Sequence, residues 1–340
     1  MRMFAGLDVG FKRTAVCVVS ESGGVLWRGV VDTRPEALGR ALEPWRNELA
    51  KVGLESGSMS PWLARELARL GFAVVCMDAR RAADAVRSRR VKSDKADAWA
   101  LAEMLRTGWY SAVHVKSQES HRLKAVLGAR DQLVRVKRSL GGQVRGLLRP
   151  FGIRLPARQG AKRFDEAARQ AVQHDGVLYA SIAALLEALA AIDSQLERLD
   201  EQVKDLARRS TVCWRLMSVP GVGPVTALAF VAAVEDVGRF RKMRDIGAYL
   251  GLTPKRYQSG DTDVVLGISR QGDAMARHYL YEAANVLLTT VRRASALKSW
   301  GLKVMKRRGA KRARVAVARR LAALLGRMWK DEAHFDAVRP

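Results

Sequence analysis

The order of strands and helices in the first third of the chain constrains its fold more than any other feature of the sequence. Five short apolar or β-branched runs predict strands, at residues 4–9, 14–19 and 25–31, in a segment ending at Glu55, and at 72–77. Gly10 and the turn residues 21–24 separate the first three runs, so these are expected to form antiparallel hairpins. Three further stretches predict helices, over 35–49, from about 61 to 70 and over 94–105. The chain is therefore predicted to begin with a mixed α/β domain.

Four carboxylates, which we call the acidic quartet, lie where such a domain can bring them together: Asp8, Glu55, Asp94 and Asp97. Asp8 ends the first predicted strand and Glu55 the fourth, whereas Asp94 and Asp97 are spaced to share one helix face. The element order is that of a ribonuclease H-like fold. Carboxylates that converge from separate elements can hold two divalent ions and stabilise the attacking and leaving oxygens of a phosphoryl transfer. A single such acid is usually structural, and the prediction depends on the ordered set.

The acidic quartet occurs in a strongly basic chain. The protein has 60 Lys and Arg against 34 Asp and Glu, a formal net charge of +26. Such a surface attracts polyanions, and nucleic acid is the commonest of these. Carboxylates inside it would repel phosphates unless divalent cations lie between them, which is typical of enzymes that cut phosphodiesters. Asp78 and Asp84 are interpreted as ordinary loop or helix-surface acids.

Cysteine spacing and hydropathy bear on the compartment. Cys17, Cys76 and Cys213 lie far apart, which predicts neither a disulfide framework nor a zinc site and favours a reducing compartment. The first residues include no apolar stretch long enough for a signal peptide. The most apolar segment, 219–234, is short and interrupted by Pro and Gly, so it predicts no membrane span. We expect a cytoplasmic, nucleoid-associated protein without a membrane partner.

A heptad pattern predicts a long helix in the middle of the chain. Its apolar positions alternate spacings of four and three, at Leu178, Ile182, Leu185, Leu189, Ile192, Leu196, Leu199, Val203 and Leu206. A coiled coil between chains is favoured because the flanking segments are predicted to be separate domains. The alternative is one amphipathic helix packed on its own domain. Residues 122–149 also predict a helix, whose outer side is basic and is either solvated or in contact with a phosphate backbone.

Glycine-rich segments mark the C-terminal half. Residues 219–224, before an apolar run over 225–234, resemble a helix-hairpin-helix, in which glycines let the backbone approach a phosphate and the helix N-terminus supplies N–H donors. A plain interhelical turn is the alternative. The loop-like stretches 251–260 and 267–273 place serines beside glycines and arginines. Because a serine hydroxyl is a poor nucleophile and no His lies close in sequence, activation must come from a spatial neighbour, with the metal site the first candidate.

Together these motifs resemble the DEDD transposases of the insertion-sequence 110 family, RNA-guided DNA recombinases related to the Piv DNA invertases. The resemblance covers nearly the whole chain and rests on five ordered motifs: Gly6-Leu7-Asp8, Leu54-Glu55-Ser56-Gly57, residues 92–98, Pro220-Gly221-Val222-Gly223, and residues 251–260. Glu55 is followed by Ser-Gly where Ala-Thr-Gly is expected, a departure that leaves the carboxylate in place.

The resemblance implies roles for individual residues. The acidic quartet would be the RuvC-like ligands of Mg²⁺, in a two-metal site. Ser259, in the Tyr-x-Ser-Gly motif, would be the nucleophile that forms a transient phosphoserine link to a DNA strand, with Ser269 as the alternative. Donor and target DNA, a structured noncoding guide RNA and a homo-oligomer, dimer or tetramer, are also implied. In that assembly the acids of one subunit could meet the serine of another.

Three domains are predicted on these grounds: a RuvC-like, ribonuclease H fold domain over 1–150, a helical coiled-coil oligomerisation segment over 151–210, and a mainly α transposase domain over 211–340 that carries the nucleophile and a basic tail. The positions predicted to contact nucleic acid are cations and turn glycines: Arg130, Lys137, Arg138, Arg145, Gly221, Gly223, Arg256, Lys306, Arg307, Arg308, Lys311 and Arg312. Contacts of this kind predict a steep salt dependence without sequence choice.

The predicted function is therefore that of an insertion-sequence transposase, a recombinase that cuts and rejoins DNA through a phosphoserine intermediate. Two alternatives remain open at this point. A Holliday-junction resolvase-like, metal-dependent endonuclease needs the acidic quartet and no serine. A nucleoid or RNA-binding protein with a decayed nuclease domain needs neither, and the intact quartet argues against it.

Overall fold

The computed structural model describes residues 2–78, 94–156, 160–260 and 262–338, with only the backbone of Asp94 and Lys95. Asp84 and the first two residues of the 92–98 motif lie outside the described residues. The chain divides into two compact units, which we call the N-terminal unit (Met1–Ser117) and the C-terminal unit (Gln118–Pro340).

The N-terminal unit contains one five-stranded sheet with the order β3-β2-β1-β4-β5. Its strands are β1 (Met3–Val9), β2 (Arg13–Ser20), β3 (Val25–Asp32), β4 (Leu49–Glu55) and β5 (Val74–Met77). The first three are antiparallel neighbours, whereas β4 pairs parallel with both β1 and β5. All five predicted strands are confirmed. A helix connects β4 to β5, as a parallel pair requires, whereas the connection from β1 to β4 passes through β2, β3 and a helix.

Three helices of this unit cover the sheet: α1 (Pro35–Leu42), α2 (Ser60–Arg69) and α3 (Asp94–Thr107). The predicted helix over 35–49 was too long, because the α-helix gives way to a 3₁₀ turn at Glu43–Trp45. Pro44 explains this end, since proline disfavours α-helical backbone in the residue before it and has no N–H for the helix.

Side-chain alternation gives the sheet two buried faces. On one face Leu7 and Leu54 pack with Leu38 and Leu63, from α1 and α2. The other face packs against α3, through a cluster that includes Phe4, Cys17, Met77, Leu101 and Leu105. A sheet covered on both sides explains why its central strands read as nearly continuous apolar runs.

The C-terminal unit is mainly helical. Its helices are α4 (Gln118–Leu148), α5 (Ala161–Ala171), α6 (Gly176–Arg209), α7 (Thr211–Leu216), α8 (Pro224–Val234), α9 (Asp245–Tyr249), α10 (Ala274–Thr289), α11 (Ala296–Arg308) and α12 (Ala310–Lys330). A two-stranded hairpin, β6 (Pro254–Ser259) and β7 (Thr262–Ile268), lies between α9 and α10. The core surrounds α8, whose residues Ala227, Phe230 and Val234 are all buried.

The predicted heptad helix is α6, and it packs along α4 in antiparallel direction. Ion pairs of 2.5 Å join Arg130 to Asp200 and Lys137 to Asp193 across this pair. Further along, Ile182 and Leu189 pack in a cluster with Val144, Leu148 and Phe164. Part of the heptad seam is therefore buried within the chain, as the single-domain alternative requires.

Among the described residues one helix, α6, is long and apolar enough to cross a membrane by length and composition alone. The heptad pattern predicts a coiled-coil helix in this segment, and no membrane span was predicted there. A packed helix of a water-soluble protein meets the same test, so this finding is weak evidence for a membrane span.

Candidate active site

The register of two parallel strands places Asp8 beside Glu55. Leu7 lies opposite Leu54 in the β1–β4 ladder, and each of these leucines is followed directly by its carboxylate. Alternation along the strands puts Asp8 and Glu55 on the sheet face that α3 covers, because Leu7 and Leu54 occupy the other face.

A glycine brings α3 onto this edge of the sheet. A Cβ atom added to Gly6 would lie 2.0 Å from the carbonyl oxygen of Ala98 and 2.5 Å from the backbone nitrogen of Ala102. The helix backbone therefore rests directly on β1, which no larger residue at position 6 permits. Because Asp97 precedes Ala98, this contact sets Asp97 at the end of β1. Asp94 begins the same helix about one turn earlier.

The electrostatics at Glu55 show that the carboxylates converge. Partial burial raises the pKa of Glu55, and the negative charges of Asp8, Asp97 and Asp78, in that order, raise it further. Asp97 also has a buried Oδ1 atom without a hydrogen-bond partner in the described part of the chain. The structure thus places three members of the acidic quartet at one edge of the sheet, where Asp8 and Asp97 act electrostatically on Glu55. The side chain of the fourth, Asp94, lies outside the described residues.

Asp78 lies near the same carboxylates, because its charge also raises the pKa of Glu55, and its interpretation as an ordinary loop acid stays a prediction. It follows Met77, the residue opposite Glu55 in the parallel β4–β5 ladder, and its backbone N–H donates to the carbonyl of Ser111 at 2.9 Å. The sequence indicates this position for Asp78. An Asp that directly follows a third parallel strand lies at the same sheet edge as Asp8 and Glu55.

The donor chemistry of this edge fits a divalent cation. Within the described residues no three His, Cys, Asp or Glu side chains lie close enough to hold an ion in this conformation, and the carboxylate of Asp94 is not among them. Carboxylate oxygens are the ligands that hard divalent ions prefer. The unpartnered oxygen of Asp97 and the raised pKa of Glu55 are the features expected where like charges lack their counter-ion.

The loop after Glu55 is fixed by hydrogen bonds. The N–H of Ser56 donates to the carbonyl of Met77 at 2.8 Å, which ties the end of β4 to β5. The hydroxyl of Ser60, buried at the start of α2, donates to the carbonyl of Glu55 at 2.5 Å and accepts from the N–H of Gly57 at 2.9 Å. The Ser-Gly departure from the expected motif is thus held in a rigid turn.

The turn after Asp8 is held in a similar way and presents an aromatic ring. The hydroxyl of Thr33 donates to the carbonyl of Gly10 at 2.9 Å, and its backbone N–H donates to the carbonyl of Lys12 at the same distance. Phe11, at the tip, is 83% exposed. A Phe and a Lys therefore lie in the hairpin turn that follows Asp8.

The serine candidates occupy different environments in the C-terminal unit. Ser259 is exposed at the end of β6, where it pairs with Thr262 across the hairpin beside Gly260, whose φ of 52° is left-handed. Ser269 is half-buried, and its hydroxyl accepts from the N–H of Gln271 at 3.4 Å. Only the hydroxyl of Ser259 therefore lies at a free hairpin tip.

Several cations predicted to bind nucleic acid are engaged within the chain. Arg130 and Lys137 pair with acids of α6, as described above, and Arg256 forms an ion pair with Asp263 across the β6–β7 hairpin. Arg138 is exposed, and Arg145 is half-buried with its guanidinium over the ring of Phe164.

The basic tail presents its cations at one corner. The tail cations predicted to bind nucleic acid lie in the last turn of α11 or the first turn of α12. All five are exposed: Lys306, Arg307, Arg308, Lys311 and Arg312. None of them forms an ion pair within the residues that the structure describes.

The two turn glycines before α8 differ. A Cβ on Gly221, whose φ is 93°, would lie 2.8 Å from the carbonyl oxygen of Ala283 in α10, so helix packing accounts for this glycine. Gly223 has open space around it and precedes the first residue of α8.

Comparisons with known proteins cover both units. A transposase family model of the DEDD insertion-sequence 110 type matches residues 5–152, which include the acidic quartet. A second model, the transposase IS116/IS110/IS902 family, matches residues 213–298, which include Ser259.

Individual relatives agree with these matches. The transposase for insertion sequence element IS1111A of Coxiella burnetii is 35% identical over 240 residues, which are 69% of this chain and 65% of that protein, slightly under two thirds of its length. A family 20 transposase of Pseudomonas aeruginosa is 30% identical over 282 residues, 81% of this chain and 82% of the relative. The transposase for element IS1328 of Yersinia enterocolitica is 26% identical over 239 residues, 70% of each chain. The chain therefore belongs to the IS116/IS110/IS902 family of transposases.

Proposed function

We propose that this chain is the transposase of an insertion sequence and that it cuts and rejoins DNA through a phosphoserine link to Ser259. The observation that carries the proposal is the convergence of Asp8, Glu55 and Asp97 at one sheet edge. Asp94 lies about one turn from Asp97 on α3. The strand order and the mixture of antiparallel and parallel pairs support a RuvC-like, ribonuclease H fold for the N-terminal domain, proposed over 1–150.

The family implies a divalent metal, and we propose Mg²⁺ in a two-metal site held by Asp8, Glu55, Asp94 and Asp97. Ions bound there would stabilise the negative charge that builds on a scissile phosphate. The chain itself fixes the carboxylates. The contact of Gly6 with α3 places Asp97, and the hydrogen bonds of Ser60 hold the backbone of Glu55. Phe11, exposed on a rigid turn beside Asp8, offers its ring to a base of the substrate.

Ser259 would supply the nucleophilic oxygen. Its Oγ forms a bond to phosphorus, the bond from phosphorus to the leaving sugar oxygen breaks, and the hydroxyl proton passes to that oxygen through a base or water. The phosphodiester is conserved as a serine ester, so rejoining to a new strand needs no external energy source. Exposure of Ser259 at a hairpin tip favours it over the half-buried Ser269.

The assembly is part of the proposal. The acidic quartet and Ser259 belong to different compact units, and we propose that an oligomer, dimer or tetramer, combines them into composite sites. Two heptad positions of α6, Ile192 and Leu199, are partly exposed and belong to none of the described apolar clusters, and they support an oligomerisation segment over 151–210. The transposase domain would extend over 211–340. Donor and target DNA, a noncoding guide RNA and a location at the nucleoid follow from the resemblance and the net charge of +26.

The test compares three variants in a strand-cleavage and strand-exchange assay on the element ends, with the co-purified nucleic acid retained. Ser259→Ala is expected to abolish strand exchange and the covalent adduct, Asp8→Asn to abolish both reactions, and Ser269→Ala to preserve both. Cleavage that persists in Ser259→Ala would identify a resolvase-like endonuclease instead. Processing that survives Asp8→Asn would identify a protein that only binds nucleic acid.

A further inference from the structure

The structure contains a cleft whose lining is rich in arginine and which the proposed reaction does not use. It lies at the C-terminal end of α4, has a volume of about 520 Å³, and is lined by Arg145, Arg149, Gly152, Ile153, Arg154 and Leu155. A volume in this range accommodates a small ligand or one unit of a polymer.

The cleft is built by a tight reversal of the chain. A 3₁₀ turn at Arg149–Phe151 ends at Gly152, whose φ of 74° is left-handed and favours glycine. The N–H of Ile153 then donates to the carbonyl of Leu148 at 3.2 Å. This reversal brings Arg154 back beside Arg149, and Ile153 and Leu155 anchor it by packing on the cluster around Val144 and Phe164.

Arg145 forms the floor of the cleft and has donor capacity to spare. Its guanidinium lies over the ring of Phe164, with 4.6 Å between Cζ and the ring centroid. Nη1 donates to the carbonyl of Gly141 at 3.0 Å, whereas Nε is buried without a partner among the described residues. Because Nε has almost no solvent-accessible surface, a ligand in the cleft would meet the other guanidinium nitrogens of Arg145.

Charge near the end of a helix is a simpler explanation for one of these arginines. A cation in the last turn interacts favourably with the helix dipole, and this accounts for Arg145 with its bond to Gly141. It accounts less well for Arg149, which directly follows the helix and begins the 3₁₀ turn, and it does not account for Arg154. In the described chain neither of these two arginines forms an ion pair or a side-chain hydrogen bond.

We propose that this cleft binds a phosphate, together with the adjoining unpaired nucleotide, of a nucleic acid strand. Guanidinium groups match phosphate oxygens in paired hydrogen bonds, and three of them that form no ion pair within the described residues favour a group of high negative charge. Phe151, between Arg149 and Gly152 in the turn, is 59% exposed and provides a face for an unpaired base. The proposal requires that the chain acts on nucleic acid, but it requires neither the acidic quartet nor Ser259.

The test measures binding of the full-length protein to a fluorescent single-stranded oligonucleotide without divalent metal, so that cleavage does not interfere. Arg149→Ala with Arg154→Ala is compared with a control pair, Arg198→Ala with Arg209→Ala, two exposed arginines of α6 that form no ion pair in the described residues. Both pairs remove the same charge, and Arg145 is left intact because it packs on Phe164.

The double variant Arg149→Ala with Arg154→Ala is expected to weaken binding about tenfold or more. It should also lower the slope of log affinity against log salt by about 1.4, because each lost contact with a single-strand phosphate is worth about 0.7. The control pair should weaken binding about twofold. Phe151→Ala should weaken single-strand binding about fivefold and leave duplex binding unchanged. Equal losses in the two pairs, or a loss confined to duplex, would overturn the cleft proposal alone. Failure of the wild-type protein to bind any oligonucleotide would overturn the proposed function as well.

Discussion

The carboxylate edge of the N-terminal unit and the β6–β7 hairpin are organised in opposite ways. Asp8 and Glu55 are set by a parallel strand register, by the contact of α3 on Gly6 and by the hydrogen bonds of Ser60. Ser259 lies in a two-stranded hairpin whose residues are almost all exposed, with Val265 70% accessible. An isolated hairpin is marginally stable in water. One half of the proposed active site is therefore preorganised by its own domain, whereas the other half depends on what it contacts.

The largest expected effect is on chemistry at the preorganised edge. Asp97→Asn should reduce the single-turnover rate of strand cleavage about 10³-fold, which is about 4 kcal/mol of transition-state stabilisation, because its buried Oδ1 has no other partner in the described chain. Asp32→Asn, an exposed carboxylate at the end of β3, is the control and should leave the rate unchanged. A loss below tenfold in Asp97→Asn would remove this residue from the site.

The two regions should also differ strongly in how much a glycine substitution lowers the free energy of unfolding. Gly6→Ala forces a Cβ against the backbone of α3 and should destabilise the N-terminal unit by about 3 kcal/mol. Gly267→Ala, in β7 with open space around it, should change stability by less than about 0.5 kcal/mol. Thermal unfolding followed by circular dichroism measures both. Similar midpoints for the two variants would show that α3 does not rest on β1.

A smaller effect concerns pH. The pKa of Glu55 is raised in the folded protein, so its ionisation opposes folding at neutral pH, and this penalty shrinks as the pH falls through the raised pKa. Without divalent metal, Glu55→Gln should therefore raise the unfolding midpoint at pH 7.5, by a modest amount because Glu55 is only partly buried and solvent screens its charge. The difference should shrink as the pH falls through the raised pKa. A gain that grows towards acid pH would mean that Glu55 is stabilised as a carboxylate by a cationic group.

The smallest effect is expected at Asp78. Asp78→Asn should weaken the affinity for Mg²⁺, measured by calorimetry, about threefold and reduce cleavage less than tenfold, because its charge acts on Glu55 after those of Asp8 and Asp97. A loss as large as that of Asp97→Asn would make Asp78 a ligand in its own right.

The accuracy of prediction from the sequence alone also differs between the two units. Strand periodicity located all five strands and placed Asp8 and Glu55 at strand ends, because alternation and turn residues are local signals. The end of α1 differs from the prediction because Pro44 disfavours α-helical backbone in the residue before it. The proximity of Asp78 to Glu55 was not predicted, because it depends on which strands are neighbours in the sheet.

The C-terminal unit was harder to predict for a physical reason. The heptad pattern located α6 correctly, but the same apolar seam serves a partner within the chain or a second copy equally well, and the pairing with α4 shows part of it used within the chain. Likewise, a glycine such as Gly221 satisfies a phosphate-binding turn or a close helix contact, and only the position of α10 distinguishes them. The arginine cleft depends on a chain reversal that periodicity does not reveal.

The most direct test of the central claim is to identify the residue that carries the broken strand. The protein is reacted with a nicked or end-labelled substrate, the covalent adduct is trapped by denaturation, and the attachment site is mapped by mass spectrometry. The account predicts a phosphodiester bond at Ser259 that is lost in Asp8→Asn. An adduct on any other residue, or strand exchange that proceeds without an adduct, would contradict it.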